Sequence, residues 1–241
     1  MGNKVSSLHR ASISGRFKDI LRHLEDGADP NDSRIAPLHA AVLFGHMDIV
    51  NALLDAGVRI DTGVLLDDAR FPGYSKMCHP FPSTATQFTP LGCALLKNDL
   101  QMVLTLLKRG ASPNGTADTL HPLDVAIRSR ASPAIIKALV EAGSASSDID
   151  FARRAILECH LDAVNALWDA KVMTDPTKAL DALIDHGIKG YPFVDIDDMV
   201  DWLLHHGADV RQLPDLVNRL LALRSTKVFD ALWNASRHFL V

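Results

Sequence analysis

The sequence predicts an all-α solenoid: about six to seven helix-turn-helix units in a stack, interrupted by one long inserted loop. Apolar residues recur at helical spacing in short paired stretches. The pairs themselves repeat, with 30 residues from Leu8 to Leu38, 32 from Leu91 to Leu123 and 33 from Gly110 to Gly143. A period in this range marks stacked repeats. Aromatic residues are only 6% of the chain while Leu and Ala are abundant, which suits closely stacked small helices more than a sheet.

The stretch APLHAAVLFGHMDIVNALLDAGVRID, Ala36 to Asp61, shows one unit most clearly. Pro37 suits the first helical position, where its missing N–H costs nothing. Leu38, Ala41 and Val42 share one face at i, i+3, i+4 spacing. The Ala residues let two helices approach closely, and Gly45 turns the chain between them. Ile49, Val50, Leu53 and Leu54 repeat the stripe on a second helix, which Gly57 ends in a left-handed cap. One such hairpin cannot bury both faces, so it needs neighbours. The others follow in order: Ser7 to Asn31 before it, then Thr89 to Asn114, His121 to Ser144 and a weaker Phe151 to Val172. A sixth unit ends at Val210 and is split by an insertion, Gly187 to Val194. The amphipathic tail from 211 to 241 is expected to cap the array, with Arg219, Arg224 and Lys227 on its polar side.

These units resemble the ankyrin repeat. Pro37, Leu38, His39, Ala41, Gly45, His46, Ile49, Val50, Leu53, Leu54 and Gly57 match its consensus, and Gly27-Ala28-Asp29 and Gly207-Ala208-Asp209 match its end. The resemblance runs from about Ser7 to Val210 and weakens after the fourth unit. The family ties a Thr hydroxyl and a His imidazole into turn hydrogen bonds, and no unit here has both: Ala36 replaces the Thr, Gly92 the His, and His121 and Asp124 replace both. His39 and His46 stand at family positions and are expected to be structural. The array is therefore expected to span 7–241, after a flexible N-terminus at 1–6.

Composition excludes several function classes. Apolar residues make up 47% and charged residues 22%, a folded composition. The net charge of −4 and pI near 6.2 argue against a nucleic-acid scaffold. No apolar run reaches the ~18 to 20 residues that span a bilayer, and no secretory signal is evident. Cys78, Cys93 and Cys159 are widely spaced, which fits no disulfide framework and no zinc pair. A cytoplasmic location is expected, without cofactor or metal. Phosphate-loop, nucleophile-elbow and zinc-helix motifs are absent, and no catalytic residue is assigned.

The insertion TGVLLDDARFPGYSKMCHPFPSTATQF, Thr62 to Phe88, stands out, because loops of this length inside an array are uncommon and often functional. It gathers Phe71, Tyr74, Phe81 and Phe88, four of the chain's eleven Phe and Tyr residues. These rings either pin the loop to the array or contact a partner. Cys78-His79 reads as a loop pair, since adjacent residues point different ways and no third member is evident. Asp195, Asp197 and Asp198 read as acids at a helix start, and His205-His206 as cations at its end. Trp168, Trp202 and Trp233 fall on apolar helix faces and read as packing.

The family resemblance implies a non-catalytic module that binds a protein partner along a concave face and the loops between repeats. By position, the partner-binding candidates are Arg34, Leu43, Phe44, Lys97, Arg128 and Arg130, with Phe71, Tyr74 and Phe81 from the inserted loop. Leu43-Phe44 is expected to expose two adjacent apolar side chains, inviting a partner or the loop itself. Aromatic and Arg side chains are the usual interface anchors. The alternative is a small-molecule-binding protein or enzyme, such as a biosynthetic cyclase or isomerase, with its pocket formed by the 62–88 loop over the groove. Asp67, Asp68, Arg70, Tyr74, Cys78 and His79 would then be acid/base candidates. Finally, MGNKVS fits an acylation pattern with Gly2 as acceptor. One acyl chain gives only marginal membrane attachment.

Overall fold

A computed structural model describes residues 2–31, 36–66, 71, 87–144, 149–173, 175–188, 196–213, 215, 218–219 and 226–237. The described residues form thirteen α-helices, one 3₁₀ turn and one short two-stranded ladder. The chain divides into two compact units, Met1–Ala145 and Ser146–Val241.

Unit 1 holds four helix pairs. Its inner helices are α1 (Gly2–Ile13), α3 (Pro37–Leu43), α5 (Pro90–Leu96) and α7 (Pro122–Arg128). Each packs on the next. The outer helices are α2 (Phe17–Glu25), α4 (Met47–Asp55), α6 (Leu100–Lys108) and α8 (Pro133–Glu141). Pro37, Pro90, Pro122 and Pro133 all stand at helix starts, where φ near −65° is already helical. The core is the seam between the layers: Leu38, Ile49, Leu53, Leu91, Leu95 and Leu106 are fully buried. Helix α1 begins at Gly2, so it includes residues 2–6.

Unit 2 holds α9 (Ile149–Leu157), α10 (Leu161–Asp169), α11 (Pro176–Ile188), α12 (Ile196–His205), a 3₁₀ turn (Val210–Gln212) and α13 (Thr226–Arg237). α9 packs on α10 and α11, α11 on α12, and α12 on α13. Asp197 and Asp198 lie in the first turn of α12, as acids at a helix start should. Trp202 and His206 stack with centroids 3.7 Å apart, and Trp168 meets both edge-on. Trp202 Nε1 donates to Asn165 Oδ1 at 2.6 Å. The C-terminal segment departs from expectation at Arg219. It does not sit on a solvent-facing side. Its side chain is only 14% exposed and clamps α11 through Asp181 at 2.6 Å and Asp185 at 2.8 Å. Lys227 is exposed beside Asp197.

One backbone rule runs through both units. The second residue after α1 to α10, and after α12, has positive φ. In seven cases it is Gly, which has no Cβ to oppose the left-handed conformation. The other four are Asn98, Arg130, Cys159 and Lys171, with φ between 49° and 57°. Gly15 has a second constraint. A Cβ there would lie 2.7 Å from the His46 ring.

Candidate functional site

The turns that follow the outer helices of unit 1 are tied to one another by side chains. Asn31 donates to the Gly57 carbonyl at 3.2 Å and accepts from the Arg59 N–H at 2.7 Å. Asp61 accepts from the Ser112 N–H at 2.9 Å. Asn114 donates to the Gly143 carbonyl at 3.3 Å, and His121 Nε2 meets its Oδ1 at 3.2 Å. Arg109 pairs with Asp55 of the preceding unit. The result is a row of preorganised turns crossing all four repeats of unit 1. Sequence reasoning missed these residues, although a signal existed: Asn31, Asp61 and Asn114 each stand four residues after Gly27, Gly57 and Gly110.

The opposite ends of the inner helices are also stitched together. His46 Nε2 meets the Ile13 carbonyl at 3.1 Å, Asn98 Oδ1 accepts from the Ser132 N–H at 2.9 Å, and Ser129 Oγ donates to the Leu95 carbonyl at 3.4 Å. His39 Nε2 meets the Phe88 carbonyl at 3.1 Å, tying α3 to the end of the insertion. Both His residues are structural. Thr89 keeps the family's hydroxyl cap, its Oγ1 accepting from the Gly92 N–H at 3.1 Å. Ala36, which replaces it one repeat earlier, makes no cap and sits at φ 38°.

The base of the insertion is a β-ladder. β1 (Val64–Leu65) pairs antiparallel with β2 (Gln87–Phe88), with Val64 opposite Phe88. Gln87 also bridges to Thr119. Phe71 is completely buried and meets His9 of α1 with ring centroids 5.6 Å apart.

An ankyrin-repeat family model matches residues 34–63. Over almost its whole length, 95%, the chain superposes on 96% of the human ASB11 ankyrin repeat domain with a TM-score of 0.65 at 18% identity. The chain has the ankyrin-repeat fold and carries an ankyrin repeat at residues 34–63. A segment covering 59% of it is 30% identical over 146 residues to ankyrin repeat protein nuc-2 of Neurospora crassa. A 60-residue segment, 23% of the chain, is 42% identical to part of the mouse histone-lysine N-methyltransferase EHMT1. These matches span only 12% and 5% of those relatives' own lengths. They are similarities of short segments, and the methyltransferase activity in the second name belongs to that protein.

The ankyrin scaffold distributes the residues singled out from sequence unevenly. Lys97 and Arg130 are exposed at the ends of α5 and α7, and Phe44 is half-buried at the equivalent end of α3. Leu43 is corrected: it was expected on the surface, yet it is fully buried, because it continues the inward stripe of α3. Arg128 is largely buried and pairs with Asp124 at 2.9 Å, one helical turn back, so it is committed within the repeat. Phe71 is a core residue and not a surface ring. Arg34, Tyr74, Phe81, Asp67, Asp68, Arg70, Cys78 and His79 lie outside the described residues. Among the described residues, no group of three or more His, Cys, Asp or Glu side chains could hold a metal ion. Nor is any described helix long and apolar enough to cross a membrane.

Proposed function

We propose that the chain is a protein-binding module whose docking surface in unit 1 runs along the tied turns and the exposed ends of the inner helices. The ankyrin fold is generally a protein–protein interaction module. The observation that carries the reading is the ladder through Asn31, Asp61 and Asn114, which holds successive turns in one arrangement before any partner arrives. Preorganisation lowers the ordering cost of association. Lys97 and Arg130 supply exposed cationic side chains on the opposite edge, and Arg is a favoured anchor.

The test is quantitative affinity purification of the tagged full chain from cells, beside two variants. One is Asn31→Ala with Asn114→Ala; the other is Lys97→Glu with Arg130→Glu. A protein recovered with the parent and depleted with at least one variant, at unchanged circular dichroism, supports the reading. Recovery of the same proteins in equal amount by all three rejects this surface. The chain's location is read as cytoplasmic, with acylation at Gly2 as the route to membrane attachment. That extension rests on the Met1 to Ser6 pattern. Labelling with an alkyne myristate decides it: signal lost in Gly2→Ala supports acylation, and no signal in the parent rejects it.

A further inference from the structure

Unit 2 contains a cleft that the reading of unit 1 does not use. It lies between α9 and α11, opens to solvent and has a volume of about 140 Å³. Ala152 and Ile156 form one wall, Ala179 and Ala182 the other, and Met173 lies between them. Ile156 is 1% exposed and Met173 7%, so the floor is apolar. The gap has a sequence cause. The corresponding inner-helix seam of unit 1 is filled by Leu38, Val42, Leu91 and Leu95, all buried. In unit 2 the facing positions are mostly Ala, and the missing methyl and methylene groups leave the space open. Unfilled apolar space forfeits dispersion contacts that an inserted side chain restores.

The size selects the occupant. Drug-sized ligands occupy roughly 300 to 1,000 Å³. A dry cavity of about 150 Å³ takes one benzene ring. The cleft therefore fits a single side chain of Leu, Met or Phe size. Charge at the mouth narrows the choice further. Arg153 and Lys178 are both exposed there, with Asp175 beside them. Asp175 is already committed. Its Oδ1 accepts the Thr177 and Lys178 N–H groups at 3.1 Å each, and its Oδ2 faces Lys178 Nζ at 3.4 Å. Lys178 is thus neutralised locally, whereas Arg153 has no carboxylate partner among the described residues.

We propose that this cleft is a second docking site, which takes one large apolar side chain of an acidic peptide segment, with a partner carboxylate on Arg153. The segment lies across the mouth, drops its apolar side chain between Ala152 and Ala179, and places an acidic neighbour at the guanidinium. The site is independent of the surface proposed for unit 1, so either can fail alone.

The experiment uses the full chain labelled with ¹³C at methionine methyls, with the Met173 signal assigned from Met173→Leu. It is titrated with acetylated heptapeptides carrying a central Leu, Met, Phe or Ala flanked by Glu or by Lys. The Met173 methyl should shift saturably with the Glu-flanked Leu, Met or Phe peptides and not with the Ala-centred or Lys-flanked ones. Arg153→Glu, an exposed change that leaves the core intact, should weaken binding by about fivefold or more. Ala179→Leu, which fills the cleft, should abolish it. No Met173 shift with any Glu-flanked peptide overturns the proposal, as does equal binding of the Lys-flanked set or full affinity in Arg153→Glu. A Met173 shift that follows protein concentration without peptide also overturns it, and assigns the cleft to a second copy of the chain.

Discussion

Phe71 and His9 meet edge to face, with ring centroids 5.6 Å apart and planes at 77°, although sixty-two positions separate them in the sequence. His9 belongs to the first inner helix and Phe71 to the insertion between the second and third repeats. The insertion thus contributes a fully buried ring to unit 1. Phe71→Ala is expected to cost about 3 to 5 kcal/mol, the range for a buried ring. Urea unfolding followed by far-UV circular dichroism reads it, and Phe71→Leu should lose distinctly less. An unchanged midpoint in Phe71→Ala would remove the ring from the core.

Arg128 and Lys97 looked alike in sequence and separate in the structure. Arg128 and its partner Asp124 have side chains only 17% and 13% exposed. Breaking a buried pair leaves a charge without compensation, so Arg128→Met should cost about 3 kcal/mol. Adding Asp124→Leu should restore much of that loss, because the stranded carboxylate is gone. Lys97→Met should stay within about 0.5 kcal/mol of the parent. Equal effects of the two single substitutions would contradict this assignment.

Lys171 occupies the position after α10 that is Gly after most other helices, at φ 57°. Its side chain is exposed, so little packing is lost when it is removed. Relief of the left-handed strain predicts that Lys171→Gly stabilises unit 2 by roughly 1 kcal/mol. Gly57→Ala, at φ 82°, should destabilise unit 1 for the converse reason. All three tryptophans, Trp168, Trp202 and Trp233, lie in unit 2, so their emission during unfolding reports the Lys171 variant directly. A lowered midpoint for Lys171→Gly would count against the strain argument.

The acid limb of unit 2 has an identifiable origin. The Arg211 guanidinium donates to Asp209 at 2.7 and 2.8 Å and holds its carboxyl well below the ordinary carboxylate range. Asp175 is lowered too, chiefly by the Lys178 N–H. A carboxyl depressed in the folded state contributes stability that is present above its unfolded value and lost as pH falls through the folded one. Stability of unit 2 should therefore fall from about pH 4 downward. Asp209→Asn should flatten that fall while leaving the profile from pH 5 to 8 unchanged in shape. Tryptophan emission across an acid titration in moderate urea measures both, and an identical acid limb in the variant would exclude Asp209 as a contributor.

What the sequence by itself determined was local. Pro37, Pro90 and Pro122 start helices and Gly27, Gly57, Gly110 and Gly143 end them, because φ is a property of the residue and its immediate neighbours. The i, i+3, i+4 stripes named the core of α3 and α4 for the same reason. The ladder through Asn31, Asp61 and Asn114 was legible in principle from its constant offset after Gly, but its partners lie one repeat away. Only the tertiary structure decided which candidates face inward. Leu43 vanishes against neighbouring elements, Arg128 turns back to Asp124, and Phe71 crosses to α1. The α9–α11 cleft belongs to the same class, since a void is the difference between two facing side chains on separate helices. Periodicity states which face is apolar, whereas how completely another surface fills it depends on volumes contributed from distant parts of the chain.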